Sequence, residues 1–118
     1  MNFDRLVVVD WSARSKPSPK KPTKDAIYIC HSINFEMQKT EYFRTRREAL
    51  IFIEKLIEKS LVLKERIFVG FDFAFGYPLG FSESVTSSSN VFSIWKLLKR
   101  RVVDNDNNSN NRFEVAQR

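Results

Sequence analysis

The chain has 118 residues, of which 42% are hydrophobic and 29% charged, and this composition excludes wholesale disorder and predicts one domain with one core. Lys and Arg number 20 against 14 Asp and Glu, so the formal net charge is +6, which favours a polyanionic partner. The single cysteine and single histidine exclude a disulfide within the chain, a cysteine zinc cluster and a multi-histidine metal site. Neither a secretory signal nor a transmembrane run is present, so we expect a small cytoplasmic domain without a membrane partner.

Three strands are predicted in the first 44 residues. Residues 6–9 form a continuous apolar, β-branched run, which predicts a strand buried on both faces. Residues 26–32 predict a second strand and residues 36–44 a third, weaker one. No helical pattern separates the three strands, so we expect an antiparallel meander.

A basic, proline-rich segment, residues 14–24, joins the first two predicted strands and is called the basic loop below. It contains five cations and no acid, which predicts a mobile strap that contacts phosphate groups, or alternatively a solvated turn. The cations of the basic loop are Arg14, Lys16, Lys20, Lys21 and Lys24.

A helix and a fourth strand follow the predicted meander. Thr45 and Glu48 fit a capping box, and apolar residues at helical spacing extend the helix to about residue 60. Residues 67–73 predict another strand that is buried on both faces. Because a helix connects it to the meander, this strand should lie parallel to an earlier one.

The last third of the chain is more polar. Residues 82–89 predict a loop, and Asn90 can cap a helix that runs to about residue 103. Residues 104–111, called the asparagine-rich loop below, predict a loose connection before the first turns of a further helix at residues 112–118. The middle helix carries cations that we expect to contact nucleic acid: Lys96, Lys99 and Arg100.

Two acids occupy positions where apolar residues would be expected. Asp10 ends the first strand, and Asp72 lies between Phe71 and Phe73 near the end of the fourth. A buried carboxylate is costly unless it is paired or bound to a metal. If the two strands are adjacent and parallel, both carboxylates reach one edge of the sheet and can share a Mg²⁺ or Mn²⁺ ion. Structural alternatives are a strand-end cap for Asp10 and an Asx turn for Asp72.

Three further titratable residues are considered for the same site. Glu48 is the candidate third ligand, although its capping box with Thr45 explains it equally well. Glu114 is an acid at an apparent helix start. His31 is interpreted as structural rather than catalytic.

The segments VVVDWSA, GFDFAFGYPLGF and NRFEVA together resemble an uncharacterised bacterial family described as predicted nucleases with a ribonuclease H-like fold. The predicted elements follow the order β-β-β-α-β-α. The resemblance implies one α/β domain with a mixed sheet over residues 1–118 and metal bound by Asp10 and Asp72. Glu48 falls where ribonuclease H takes a Glu from its first helix. That fold continues into a fifth strand and a later helix, so we expect the chain to be the N-terminal part of a longer protein or a truncated product.

Different classes of function fit these features. The first is a metal-dependent nuclease with Asp10, Asp72 and Glu48 as catalytic residues and the cations contacting the backbone of nucleic acid. The second is an ATP-dependent enzyme of the actin and sugar-kinase superfamily, which ranks lower because no phosphate-loop glycine follows Asp10. The third is a non-catalytic nucleic-acid or protein-binding module. A cofactor-biosynthesis protein that binds a nucleotide-like ligand is a further alternative. The sequence indicates no oligomeric state.

Overall fold

A computed structural model of the chain describes residues 2–74 and 76–117. Within these residues the chain is an α/β protein with a mixed sheet, and its contacts define two compact units. The first unit runs to Asp72 and includes Asp106–Asn108, while the second contains Phe73–Asn105 and the chain from Ser109. The elements in chain order are β1 (Arg5–Asp10), β2 (Ile27–Ile33), β3 (Glu36–Met37), β4 (Glu41–Phe43), α1 (Arg46–Val62), β5 (Ile67–Phe71), α2 (Phe81–Thr86), α3 (Phe92–Arg101) and α4 (Arg112–Ala116).

The sheet of the first unit has the order β3-β2-β1-β5, and β4 also pairs with β2. β1 pairs with β2 in the antiparallel sense and with β5 in the parallel sense. The predicted meander and the parallel crossover after α1 are therefore confirmed. In the described part of the chain, no helix combines the length and apolar character that crossing a membrane requires.

The predicted third strand is divided into two short strands, which corrects the sequence interpretation. Met37 of β3 lies opposite Ser32, and Glu41 of β4 lies opposite Ile29. Three residues of the returning chain, 38–40, therefore oppose two residues of β2. One extra residue of this kind makes a bulge, which interrupts the ladder between two pieces that are each in register.

The two faces of the sheet differ in burial. Val7 and Val9 are fully buried and belong to the core cluster that also contains Ile53 of α1. Val8 and Phe68, which point to the other face, are 60% and 49% exposed. The expectation that β1 and β5 are buried on both faces was wrong, because side chains alternate along a strand and α1 packs against one face.

Helix α1 begins as the sequence predicts. The Thr45 hydroxyl accepts a hydrogen bond from the backbone N–H of Glu48 at 3.2 Å, and Glu48 Oε2 accepts one from the Thr45 N–H at 3.0 Å. This reciprocal pair is a complete capping box. The helix extends to Val62, slightly beyond the predicted end.

The second unit contains a helix where the sequence predicts a loop. Helix α2 starts after Gly80, whose φ of 84° suits a residue without a Cβ atom. The Thr86 hydroxyl donates back to the Ser82 carbonyl at 2.7 Å. The segment is rich in serine, whose weak helix propensity explains why residues 82–89 predict a loop.

The other elements of the second unit agree more closely with expectation. The N-cap of α3 is Val91 rather than the predicted Asn90, and Asn90 Oδ1 accepts the backbone N–H of Phe92 at 2.9 Å from the position before the cap. Within the predicted loose connection, Asp104 and Asn110 form an antiparallel bridge. Helix α4 begins at Arg112, where the sequence predicts a helix start.

Candidate carboxylate site

Asp10 and Asp72 lie side by side at the carboxyl edge of the sheet. Asp10 is the last residue of β1, and Asp72 directly follows the last residue of β5. The Asp72 N–H donates to the Val9 carbonyl at 3.2 Å, so the parallel ladder continues to this position. Val8 is paired with Gly70, two residues before each acid, and the alternation of side chains therefore places both carboxylates on the same face.

The nearness of Asp72 affects the pKa of Asp10. The pKa of Asp10 is raised above 3.8, first by partial loss of hydration, then by hydrogen bonding to the Asp72 carboxyl and by the charges of Asp72 and Asp25. Asp72 Oδ1 accepts the backbone N–H of Trp11 at 2.9 Å. The Trp11 ring packs edge-on against Phe71, with centroids 5.9 Å apart. The Trp11 N–H therefore holds one Asp72 oxygen, and both acids are exposed rather than buried as the sequence pattern suggested.

Glu48 has a different place in the structure. Its Oε2 accepts the backbone N–H groups of Arg44 and Thr45, at 3.1 and 3.0 Å. Within residues 2–74 and 76–117, no three His, Cys, Asp or Glu side chains form a group that could hold a metal ion. The structure therefore brings Asp10 and Asp72 together but does not add Glu48 to them.

Asp25 is an acid near the site that the sequence reasoning did not consider. Its charge raises the pKa of Asp10, and its carbonyl accepts the Ser12 hydroxyl at 2.7 Å. The sequence nevertheless contained a signal for the position of Asp25. Asp25 lies just before β2, and because β2 is antiparallel to β1, with Tyr28 opposite Asp10, the start of β2 returns to the end of β1.

Glu114 and His31 belong to other elements of the structure. Glu114 is an exposed residue of α4 in the second unit. The His31 ring packs against Phe52 of α1, with centroids 5.9 Å apart. Burial, followed by the positive charge of Arg5, lowers the pKa of His31 below 6.5. These contacts fit a structural role for His31 on the α1 face of the sheet.

The basic loop is held in place, which corrects the expectation of a mobile strap. The buried Arg46 guanidinium donates to the carbonyls of Ser12 and Arg14, at 3.1 and 2.8 Å. Ser18 is also buried, and its N–H donates to the Arg44 carbonyl at 2.9 Å while its own carbonyl accepts from the Arg44 side chain. Carbonyl groups that are removed from water need a hydrogen-bond donor, so the backbone of the basic loop packs around the Arg46 guanidinium.

Two tyrosines anchor the remainder of the basic loop. Tyr28 donates its hydroxyl hydrogen to the Thr23 carbonyl and Tyr42 to the Pro19 carbonyl, both at 2.8 Å. The two rings contact each other with centroids 5.3 Å apart, one on β2 and the other on β4. The cations of the loop therefore project from a fixed backbone that leaves the sheet immediately after Asp10.

Part of the asparagine-rich loop is equally well held, so the expectation that it is loose was wrong. Asn108 is 2% exposed, with its backbone in the left-handed region at φ 70°. Its Oδ1 accepts the Arg46 N–H at 2.8 Å and its carbonyl accepts the Arg46 guanidinium at 2.7 Å. Its amide donates to the Arg44 carbonyl at 3.2 Å. An asparagine suits this position because it tolerates a positive φ and bonds to backbone groups.

The predicted nucleic-acid contacts divide between the two units. Lys16, Lys20, Lys21 and Lys24 are exposed and Arg14 is partly buried, all in the first unit. Exposed cations of α3, in the second unit, are Lys96, Lys99 and Arg100.

No family model, curated protein or solved structure matches the chain significantly.

Proposed function

We propose that this chain forms a nuclease domain with a ribonuclease H-like fold, which hydrolyses phosphodiester bonds with Mg²⁺ or Mn²⁺ held by Asp10 and Asp72. The observation that carries the proposal is the pair of carboxylates at the ends of adjacent parallel strands. The carboxyl edge of a parallel pair is the usual ligand site in an open α/β sheet. The order of β1, the β2–β4 meander, α1 and β5 is also that of the first part of the ribonuclease H-like fold.

The donor set suits a hard divalent cation. Magnesium is commonly held by one or two carboxylates, with water and substrate phosphate completing its coordination. Asp10 and Asp72 repel each other, and a cation between them would remove that repulsion. When bound, the cation supplies Lewis-acid stabilisation of the charge that develops on the phosphoryl oxygens.

The remaining residues of the first unit bind and orient the substrate in this proposal. The Trp11 N–H orients the Asp72 carboxylate, because one of its two oxygens accepts this hydrogen bond. The exposed lysines of the basic loop attract and hold the phosphate backbone of RNA or DNA. Because Arg46 holds the loop backbone, binding of nucleic acid has to order chiefly the lysine side chains.

The decisive experiment is a Mn²⁺ titration followed by NMR, in which the paramagnetic ion broadens nearby signals. We expect broadening centred on residues 10–11 and 72 in the wild type, and its loss in Asp10→Asn and Asp72→Asn. Glu54→Gln, which removes one exposed charge from the middle of α1, is the matched control and should retain binding. A folded wild type that shows no saturable broadening would contradict the proposal. Cleavage of labelled RNA, DNA and hybrid substrates, with and without EDTA, then tests the reaction.

A non-catalytic nucleic-acid-binding module is the second candidate, and the fixed basic loop favours it. Such a module would bind an oligonucleotide with steep salt dependence whether or not Mg²⁺ is present. Replacement of Lys20, Lys21 and Lys24 by Gln would weaken that binding. Asp10→Asn would strengthen or preserve it, whereas in a metal-dependent nuclease it would abolish cleavage.

A further inference from the structure

The second unit contains a basic hollow that is separate from the carboxylate pair. The hollow has a volume of about 420 Å³ and is open to solvent beside the turn that joins α2 to α3. Lys96 and Arg100 lie one turn apart on α3, so both side chains reach the same side of the helix. The remaining lining residues are Val85, Thr86, Ser87, Ser93 and Leu97.

Hydrogen bonds hold the walls of the hollow in place. The Ser93 hydroxyl bonds to that of Ser88 at 3.1 Å, which ties the start of α3 to the turn. The Ser82 hydroxyl donates to the Asn90 carbonyl at 2.8 Å, which joins α2 to the end of the same turn. Ser87 ends α2 with φ 56°, and its N–H donates to the Glu83 carbonyl at 2.8 Å. These bonds link α2, the turn and α3, which carry the lining residues.

The chemistry of the lining is that of an oxyanion site. Among the described residues that line it, two are cationic, three carry hydroxyl groups and none is acidic. Guanidinium and ammonium groups form charge-assisted hydrogen bonds to phosphate oxygens, and hydroxyl groups add neutral ones. Val85 and Leu97 provide apolar surface next to the charges. A carboxylate in the lining would pair with the two cations and repel an anion, and the lining residues include no carboxylate.

We propose that this hollow binds a phosphate group, with Lys96 and Arg100 contacting its oxygens and the Ser87 hydroxyl donating a further hydrogen bond. The hollow is large enough for a phosphate together with its ester substituents. The phosphate can belong to a nucleic-acid strand or be free in solution, and the chemistry of recognition is the same. This inference goes beyond the carboxylate pair and does not require that pair to bind a metal.

The test is an NMR titration in buffer that contains EDTA and no phosphate, first with inorganic phosphate and then with a short single-stranded oligonucleotide. We expect shifts at Ser87, Ser93 and Lys96. The double variant Lys96→Gln/Arg100→Gln should weaken binding by about tenfold, which corresponds to ~1.4 kcal/mol. Lys39→Gln/Lys55→Gln removes the same charge at exposed residues outside the lining and outside the predicted nucleic-acid contacts, and should change affinity less than about twofold.

The outcomes separate the sources of the phosphate and can overturn the proposal. Saturation by inorganic phosphate indicates a site for free phosphate, and saturation by the oligonucleotide alone indicates a backbone contact. The proposal fails if neither probe shifts the hollow residues of the folded wild type, or if the control variant loses as much affinity as the double variant. Because EDTA is present throughout, failure of the metal proposal does not alter this result.

Discussion

Asp72 Oδ1 accepts a hydrogen bond from the backbone N–H of Trp11 at 2.9 Å. Trp11 follows Asp10 directly, so this bond ties the end of β1 to the end of β5 and holds the two carboxylates together. The bond from the Asp72 N–H to the Val9 carbonyl, at 3.2 Å, reinforces the same junction. The carboxylate pair is therefore a property of the fold itself.

The first prediction concerns the cost of ionising Asp10. Its pKa is raised above 3.8 in the folded protein, so the folded state binds this proton more tightly than the unfolded state does. The contribution of Asp10 to stability is therefore greatest at low pH, and it falls as pH rises from 3.8 through the folded pKa. Asp10→Asn should therefore raise the melting temperature near neutral pH, and the gain should disappear below 3.8. Calorimetry across the pH range checks this, and a gain that is independent of pH would contradict it.

The second prediction separates the capping role of Glu48 from metal binding. Thr45→Ala removes the hydroxyl that caps α1 and should lower the free energy of unfolding by about 1 kcal/mol. Glu48→Gln keeps an oxygen that can accept the Thr45 N–H, so its effect should be smaller. Urea denaturation measures both. Glu48→Gln should also leave Mn²⁺ affinity unchanged, and a loss of that affinity would show that Glu48 reaches the carboxylate site.

The third prediction tests how Arg46 holds the basic loop. Arg46→Met removes the donor that binds the buried Asn108 carbonyl and the partly buried carbonyls of Ser12 and Arg14, and an unsatisfied buried group costs about 1–3 kcal/mol. We expect a loss of about 3 kcal/mol in unfolding free energy, with faster hydrogen exchange in the loop. The adjacent Arg47 is exposed, so Arg47→Met should change stability by less than about 0.5 kcal/mol. Equal effects of the two substitutions would contradict this role.

The fourth prediction is that protonation of His31 destabilises the folded protein at low pH. Its folded pKa lies below 6.5, so the unfolded state binds the proton more readily. The contribution of this group is complete above 6.5 and is lost as pH falls through the folded pKa. His31→Phe, which keeps a ring against Phe52, should remove this part of the pH dependence. Unfolding free energies measured on both sides of pH 6.5 test it, and an unchanged slope in the variant would be inconsistent with the prediction.

The fifth prediction compares neighbouring valines on opposite faces of β1. Val9→Ala deletes fully buried methyl groups and should cost about 2 kcal/mol. Val8→Ala makes the same chemical change at a side chain that is 60% exposed, and should cost less than about 0.5 kcal/mol. Equilibrium denaturation of the two variants gives the comparison. Similar costs would show that the second face of the sheet is covered in solution.

Local sequence patterns were sufficient for several elements. The Thr45 and Glu48 pair predicted the start of α1, because a capping box depends on groups only three residues apart. The apolar runs at β1 and β5 predicted strands, and the helix between them implied a parallel pair. From that pair it followed that Asp10 and Asp72 should lie together. The acids of the candidate site could thus be chosen from sequence, because their placement depends only on strand direction.

Contacts between distant residues decided the rest. A continuous apolar run does not show which face of a strand is covered, so the exposure of Val8 became evident only when α1 was placed on the sheet. The basic and asparagine-rich loops look mobile by composition, yet Arg46 and Asn108, which are 62 residues apart, bind each other and hold both. Strands and caps arise from neighbouring residues, whereas satisfying a buried guanidinium requires the folded chain to bring distant carbonyls to it.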